Sequence, residues 1–500
     1  MWGAFAALLL PMTPIIELTT EVLDHLGDYL DERTLLNVVL VCRLFHQLFT
    51  PRIWNDVVVN SDQKGVKVDS LRTHAQWVHS LHFNKLNEDL DADYCSITFP
   101  RLTLLTIDCW STFSTRCSDL VVEKQDANWA RLVRLNPTVQ DITFHSVRQR
   151  GQGPVQFLEA IFITLPHPRR LKLSGVTEFA YGAQHLFWMT VGRFEELEYS
   201  GYDQSRRGLN LDVNLSQLKR LTYLTVDRND ARDHDLRVLR GCRGLTRLWW
   251  SNNIEDFPVD AFVPCLEQST WPLLEDLALD KVTHSDEDFS AIILHVPHLK
   301  HLRLNSTTFG PMCFERLRVR HFDTLRTLRM EVCSRFSSRM ALNVLLHCPH
   351  LEDFKARHVS ADDLLATPQP WACRGLRRLE VSFDGYIDGL EFSNWLVFEQ
   401  LSKLTLLEEI DLRSKDNWGH IRTDLLTGML QWKLDFGLEQ LSALRQLRSL
   451  RFDKKAQDMN KRDVEWMLDH WPLLETIYGD LSKDWELERE LTKFTTMVFC

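Results

Sequence analysis

The chain has 500 residues, enough for a large core, and its 44% hydrophobic and 25% charged content is that of a folded globular protein. A formal net charge of -11 argues against non-specific nucleic-acid binding, which needs clustered Lys and Arg. Eleven cysteines with no C-x-x-C pair fit neither a disulfide framework nor a zinc site, and point to a reducing compartment, cytoplasmic or nuclear.

Residues 1–12, MWGAFAALLLPM, form an apolar extension. No Lys or Arg precedes Arg33, and the run ends at Pro11 without a small-residue cleavage site, so it departs from a secretion signal. It is too short to span a bilayer, and no later run reaches that length, so no membrane partner is expected. Translation beginning at Met12 is the alternative, in which case these residues are not native.

Residues 13–59 predict three short helices. Thr19 or Thr20 caps a helix over residues 21–30, with Val22, Leu23, Leu26 and Leu30 apolar. Asp31 opens a second helix through Leu35, Leu36, Val39 and Leu40. A third carries Leu44, Phe45, Leu48 and Phe49, and Trp54 follows Pro51. Fewer than fifty residues make a poor core alone, so this much apolar surface predicts a partner.

These blocks resemble an F-box. Leu18, Glu21, Val22 and Leu23 match the family's L-P-x-E-[IVL]-L, and Leu30, Leu35 and Leu36 match the spaced leucine and D-L-L. Val41, Cys42, Arg43 and Phe45 match V-C-[RK]-x-[FW], and Ile53 with Trp54 matches the end. The family's proline is Thr19 here. The resemblance implies docking on a Skp-type adaptor, and through it on a cullin–RING ubiquitin ligase, with contacts at Leu18, Thr19, Val22, Leu36, Leu40 and Trp54.

After a linker at 60–77, one pattern runs from 78 to 482: L-x-x-L-x-L, as in LKHLRL (299–304), LRTLRM (325–330) and LTYLTV (221–226). Its middle residue recurs at Leu81, Leu105, Ile142, Leu171, Leu197, Leu224, Leu248, Leu277, Leu302, Leu328, Phe354, Leu379, Ile410, Leu450 and Ile477. Most gaps are 24–29 residues, the period of leucine-rich repeats, and the pattern resembles their irregular, cysteine-type form. Three longer gaps, 105–142, 379–410 and 410–450, predict loop insertions. GQGP at 151–154 reads as a turn.

Proline stands two residues before the first leucine slot at Pro100, Pro137, Pro166, Pro272, Pro297, Pro349 and Pro472. With 17 prolines in 500 residues, fifteen slots would hold about half of one by chance. Proline cannot continue a helix and drives the preceding residue toward extended backbone, so each marks a helix ending and a strand beginning. Segments 286–296, 337–348 and 462–471 carry apolar residues at helical spacing. The predicted fold class is α/β: a three-helix module, then about fifteen strand–loop–helix repeats with parallel strands inside and helices outside. A charged, leucine-containing stretch at 484–494 predicts a helical cap within the tail 483–500.

No catalytic, metal or cofactor motif is present. His295, His298 and His301 are spaced by three, but Pro297 breaks any helix that would align them. Strand residues between the leucines predict a concave binding face with Tyr223, Trp249, Arg303, Arg329 and Lys355, suited to an acidic or phosphorylated target segment. Taken together, the chain resembles a fungal-type F-box/leucine-rich-repeat receptor: a non-catalytic subunit that holds a target protein near a ubiquitin-carrying enzyme. The alternative is a leucine-rich-repeat scaffold or inhibitor with no ubiquitin role, whose front helices merely cap the repeats.

Overall fold

A computed structural model describes residues 19–60, 66–84, 91–109, 119–146, 155–174, 183–201, 214–225, 239–252, 259–281, 285–305, 307–384, 390–413, 430–452, 457–482 and 498–499. The extension 1–12, the GQGP turn and the 484–494 cap lie outside the described residues. The chain divides into two compact units, Met1–Arg207 and Gly208–Cys500. No described helix is long and apolar enough to cross a membrane.

The first unit opens with helices α1 (Thr20–Gly27), α2 (Glu32–Val38) and α3 (Arg43–Ile53). Strands follow at β1 (Asp56–Asn60), β2 (Ser80–Asn84), β3 (Leu104–Cys109), β4 (Asp141–Ser146), β5 (Arg170–Ser174) and β6 (Glu196–Gly201). Each is parallel to its predecessor, with Val57, Leu81, Leu105, Ile142, Leu171 and Leu197 in one register row. All six side chains are buried. Two features differ from the sequence reading. The sheet begins at β1, inside the stretch assigned to the front module, and helix α4 (Val68–His74) occupies the expected linker. The long 105–142 gap holds not only loop but a 17-residue helix, Asp119–Leu135.

The second unit continues the pattern by itself: β7 (Arg220–Thr225), β8 (Arg247–Asn252), β9 (Asp276–Asp280), β10 (His301–Asn305), β11 (Thr327–Glu331), β12 (Asp353–Ser360), β13 (Arg378–Asp384), β14 (Glu409–Asp411), β15 (Ser449–Arg451), β16 (Thr476–Tyr478) and β17 (Val498–Phe499). Adjacent strands are again parallel. Helices cover one face of each sheet, which produces alternating burial along strands such as β10; the other face is open. The fold class is therefore the expected α/β repeat architecture with parallel strands.

The corners explain the period. Each of the seven marked prolines sits in a turn four residues before a strand begins, as Pro100 does before Leu104 and Pro297 before His301. Trp271 and Trp471, each just before such a proline, are buried and donate their indole N–H to Leu239 O and Leu441 O, at 2.9 and 3.0 Å. Cys242, Cys348 and Cys373 fill the same corner in other repeats, fully buried. Burial pushes the Cys242 and Cys373 thiols up to about 12, and Cys348 further in the same direction, so all three stay protonated.

Buried carboxylates tie successive helices together. Asp286 opens helix Asp286–His295 and accepts the backbone N–H of Gly310, Met312 and Cys313, at 2.9, 2.8 and 3.1 Å. Those donors are the unpaired N–H groups at the start of the next helix, Pro311–His321. A Cβ at position 310 would stand 2.7 Å from the Asp286 carboxylate, so this approach requires glycine. Asp126 does the same for Gln156 and Phe157, both at 2.8 Å, while burial raises its pKa.

One repeat frame differs from the sequence expectation. β7 pairs Leu221, not Leu224, with Leu248, and Tyr223 with Trp250. Trp250 is buried, so Tyr223 stands at a helix-side register position and not at the open-face position expected for it.

Candidate functional sites

The front module has a small core: Leu23, Leu35, Phe45 and Phe49, with Leu30, Val38, Val39, Cys42, Leu48 and Ile53 packed around it. Phe45 and Phe49 meet edge-on at 5.6 Å. The helices begin where the sequence dictates. Asp31 accepts the N–H of Thr34 at 2.7 Å, capping α2. Thr19 takes the N-cap position of α1 in extended backbone but gives no side-chain cap; its hydroxyl and the Glu21 N–H instead help lower the Glu21 carboxyl pKa, the backbone bond most. Arg52, late in α3, reaches back to α1 and binds Asp24 at 3.1 Å and Asp28 at 2.5 Å. It lies over Gly27, where a Cβ would come within 2.8 Å of the guanidinium.

That core uses only one side of each helix. Val22, Leu36 and Leu40, expected at an adaptor contact, are 46%, 48% and 82% exposed. Leu26, Tyr29, Val41 and Leu44 are exposed beside them in sequence and were not singled out as contacts. Their signal was available, since Val22, Leu26 and Tyr29 follow the i, i+4, i+7 spacing of one helix face. Thr19 is exposed, and Leu18 lies outside the described residues. Trp54 behaves differently from the others. It is half-buried, its ring 4.4 Å from His74, which stacks in turn on Trp77. It therefore joins the module to the first repeat.

On the second unit's open sheet face, register sets Trp249, Ala278, Arg303, Arg329, Lys355 and Glu380 in one row across β8–β13. Trp249 is 44% exposed. The expected basic column exists, but each member is ion-paired. Arg329 binds Asp353 through Nε and Nη2, at 2.8–3.1 Å. Lys355 lies 3.0 Å from Glu380, and Arg303 lies 3.3 Å from Asp276. Sequence reasoning missed these partners because they come from adjacent strands, 24–27 residues away. His295, His298 and His301 fall on a helix end, a turn and a strand start; His301 Nδ1 faces the Thr327 hydroxyl at 2.9 Å.

No family model matches the chain, and no curated protein matches it. Among solved structures, the crystal structure of the Rad7 and Elc1 complex in yeast is similar at 13% identity, covering 92% of this chain and 91% of the other, with a TM-score of 0.42.

Proposed function

We propose that the chain is the substrate-recognition subunit of a Skp–cullin–F-box type ubiquitin ligase. The front helices dock on a Skp-type adaptor, and the repeats hold a target protein. The chain performs no chemistry itself; it raises the effective concentration of target beside the ubiquitin-carrying enzyme.

One observation carries this reading. The front module spends its core on Leu23, Leu35, Phe45 and Phe49 while Val22, Leu36 and Leu40 face solvent. A module that only capped the repeats would turn such side chains toward the sheet. The packing of Trp54 on His74 favours a capping role as a second reading, and it limits what Trp54 can offer an adaptor.

The test is co-elution of the full chain with a purified Skp-type adaptor. The comparison is a variant lacking residues 13–53, which leaves Trp54 and β1 in place; deleting through 59 would also remove a strand of the sheet. Loss of co-elution supports the proposal. Co-elution that survives the deletion rejects it in favour of a cap.

A further inference from the structure

On the helix side of the second unit, the described residues between β14 and β15 form two short 3-10 turns, Leu434–Phe436 and Leu438–Ala443. The next repeat carries a full α-helix, Lys461–His470. A groove of about 560 Å³ runs between the turns and this helix. Its walls are pinned at both ends. Leu434 N–H donates to Asp463 Oδ1 at 2.9 Å, and Trp471 Nε1 donates to Leu441 O at 3.0 Å. Gly437 joins the turns in left-handed backbone, φ 92°, and a Cβ there would stand 2.6 Å from the Gln440 amide, so the junction requires glycine.

The groove is acidic and aromatic. Arg462, Glu465, Trp466 and Asp469 stand at i, i+3, i+4 and i+7 of the helix and share its outer face, while Val464 and Met467 are buried. Asp435 and Glu439 line the groove from the turns. Four exposed carboxylates against one guanidinium give the lining a strong negative charge. Glu465 has Lys461 at 3.7 Å. Among the described residues, Asp435, Glu439 and Asp469 form no ion pair. Elsewhere in the unit Glu399, Glu408 and Glu475 are held by Lys403, Arg377 and Arg448 at 2.6–2.9 Å. Trp466 is half-buried and fixed: its ring stacks on His470 at 4.3 Å and meets Trp471 edge-on at 5.7 Å. Across the turns, Trp395 of helix Leu390–Leu401 stands beside Gly437 and is 49% exposed.

We infer that this groove docks a partner protein through a basic segment bearing arginine. One guanidinium lies against Trp466 and donates to carboxylates of the two walls, and an adjacent apolar side chain of the same segment rests on Trp395. Arginine fits better than lysine, because a planar guanidinium stacks on an indole while donating along its edge to two carboxylates, which an ammonium cannot do. The surface lies on the helix side, away from the open sheet face, and does not rest on the ligase reading.

The full chain is titrated, at physiological ionic strength, into a fluorescein-labelled, capped peptide Gly-Arg-Arg-Leu-Arg-Arg-Gly and into the same peptide with every arginine replaced by lysine or by glutamate, and anisotropy is read. The arginine peptide should bind at least about tenfold more tightly than the glutamate peptide and at least about threefold more tightly than the lysine peptide. Glu439→Gln/Asp469→Asn, which removes one carboxylate from each wall, should weaken it at least about tenfold. Trp466→Ala and Trp395→Ala should each weaken it at least about threefold. Glu287→Gln/Glu315→Gln, which removes the same charge from exposed positions on two other helices, should change it less than about twofold. Glu439, Asp469 and Trp395 are exposed, so their variants keep the fold, and they decide the matter if Trp466→Ala lowers the thermal melt. Equal binding of the lysine peptide, no binding of the arginine peptide at millimolar concentration, equal loss in the two double variants, or unchanged binding by both tryptophan variants overturns the inference. Adaptor co-elution is not a readout here, so failure leaves the ligase reading as it stands.

Discussion

Replacing Leu36 and Leu40 together by alanine tests the adaptor surface most directly. Leu36 is 48% and Leu40 82% exposed in the free chain. Full burial of a leucine side chain is worth about 1.5–3 kcal/mol, so covering the exposed fractions would contribute roughly 1 kcal/mol at Leu36 and 2 kcal/mol at Leu40. Alanine keeps the Cβ, and ordering costs offset part of the gain. The double variant should therefore weaken the adaptor by about 1–3 kcal/mol, or about five- to 150-fold in Kd. The folded chain should barely respond, because substitutions of exposed side chains cost within about 0.5 kcal/mol. Leu23→Ala is the contrasting change. Leu23 is 1% exposed, and emptying its place should cost about 2–5 kcal/mol, lowering both thermal stability and binding. Calorimetric titration against a purified Skp-type adaptor, paired with thermal melts, separates the two. Wild-type affinity in Leu36→Ala/Leu40→Ala with an unchanged melt would refute the surface assignment.

Three further outcomes follow from particular contacts. Asp286→Ala orphans three N–H groups, two on the buried residues Gly310 and Cys313, and should cost about 3–5 kcal/mol; hydrogen exchange should rise first across 309–321, since repeats open locally. His321 is 1% exposed with Nε2 3.0 Å from Ile293 O, and burial lowers its pKa. The unfolded chain takes up a proton that the folded chain resists, so stability is full above pH of about 6.5 and falls as pH drops toward the lowered folded value. Denaturant midpoints should therefore decline between pH 7.5 and 5.5, and less steeply in His321→Gln; equal slopes would count against this. Finally, Cys42 is half-buried whereas Cys242, Cys348 and Cys373 are buried with raised thiol pKa values. A thiol reagent should modify Cys42 in the native chain and reach those three only with denaturant, as mass spectrometry of the labelled peptides would show.

The legible parts of the sequence were those with a local physical cause. Proline at the corner forbids helix continuation, so Pro137 and Pro349 announced β4 and β12 without any knowledge of the fold. Asp31 capped α2 as its chemistry requires. The β7 frame failed for an equally local reason. LKRLTYL, 218–224, contains two overlapping L-x-x-L steps, and spacing alone cannot choose between them. The strand register takes the one that pairs Leu221 with Leu248, and so Tyr223 with Trp250. Aromatic residues fill that helix-side slot elsewhere, as Phe83, Phe144 and Tyr199 do, and this was the cue that could have fixed the frame. β1 differs from the sequence reading because Val57 lies inside the stretch 13–59 read as the front module, although it stands 24 residues before Leu81.

The charged face shows where one-dimensional reading stops. Lining up repeats brought Arg303, Arg329 and Lys355 into a column, which is correct as geometry. Inferring a basic surface from that column ignored the neighbouring row, where Asp276 and Asp353 come close enough to pair with two of them. The ion pairs along this face differ in their ratio of guanidiniums to carboxylates. Arg329 has Asp353 along its fork and Lys355 has Glu380, whereas Arg247 and Arg303 divide Asp276 between them. A shared carboxylate fixes two guanidiniums while neutralising only one charge. That arrangement lies on the β8–β10 stretch beside Trp249, where the Asp280 carboxylate, held by the Ser251 hydroxyl, stands in the next open-face row.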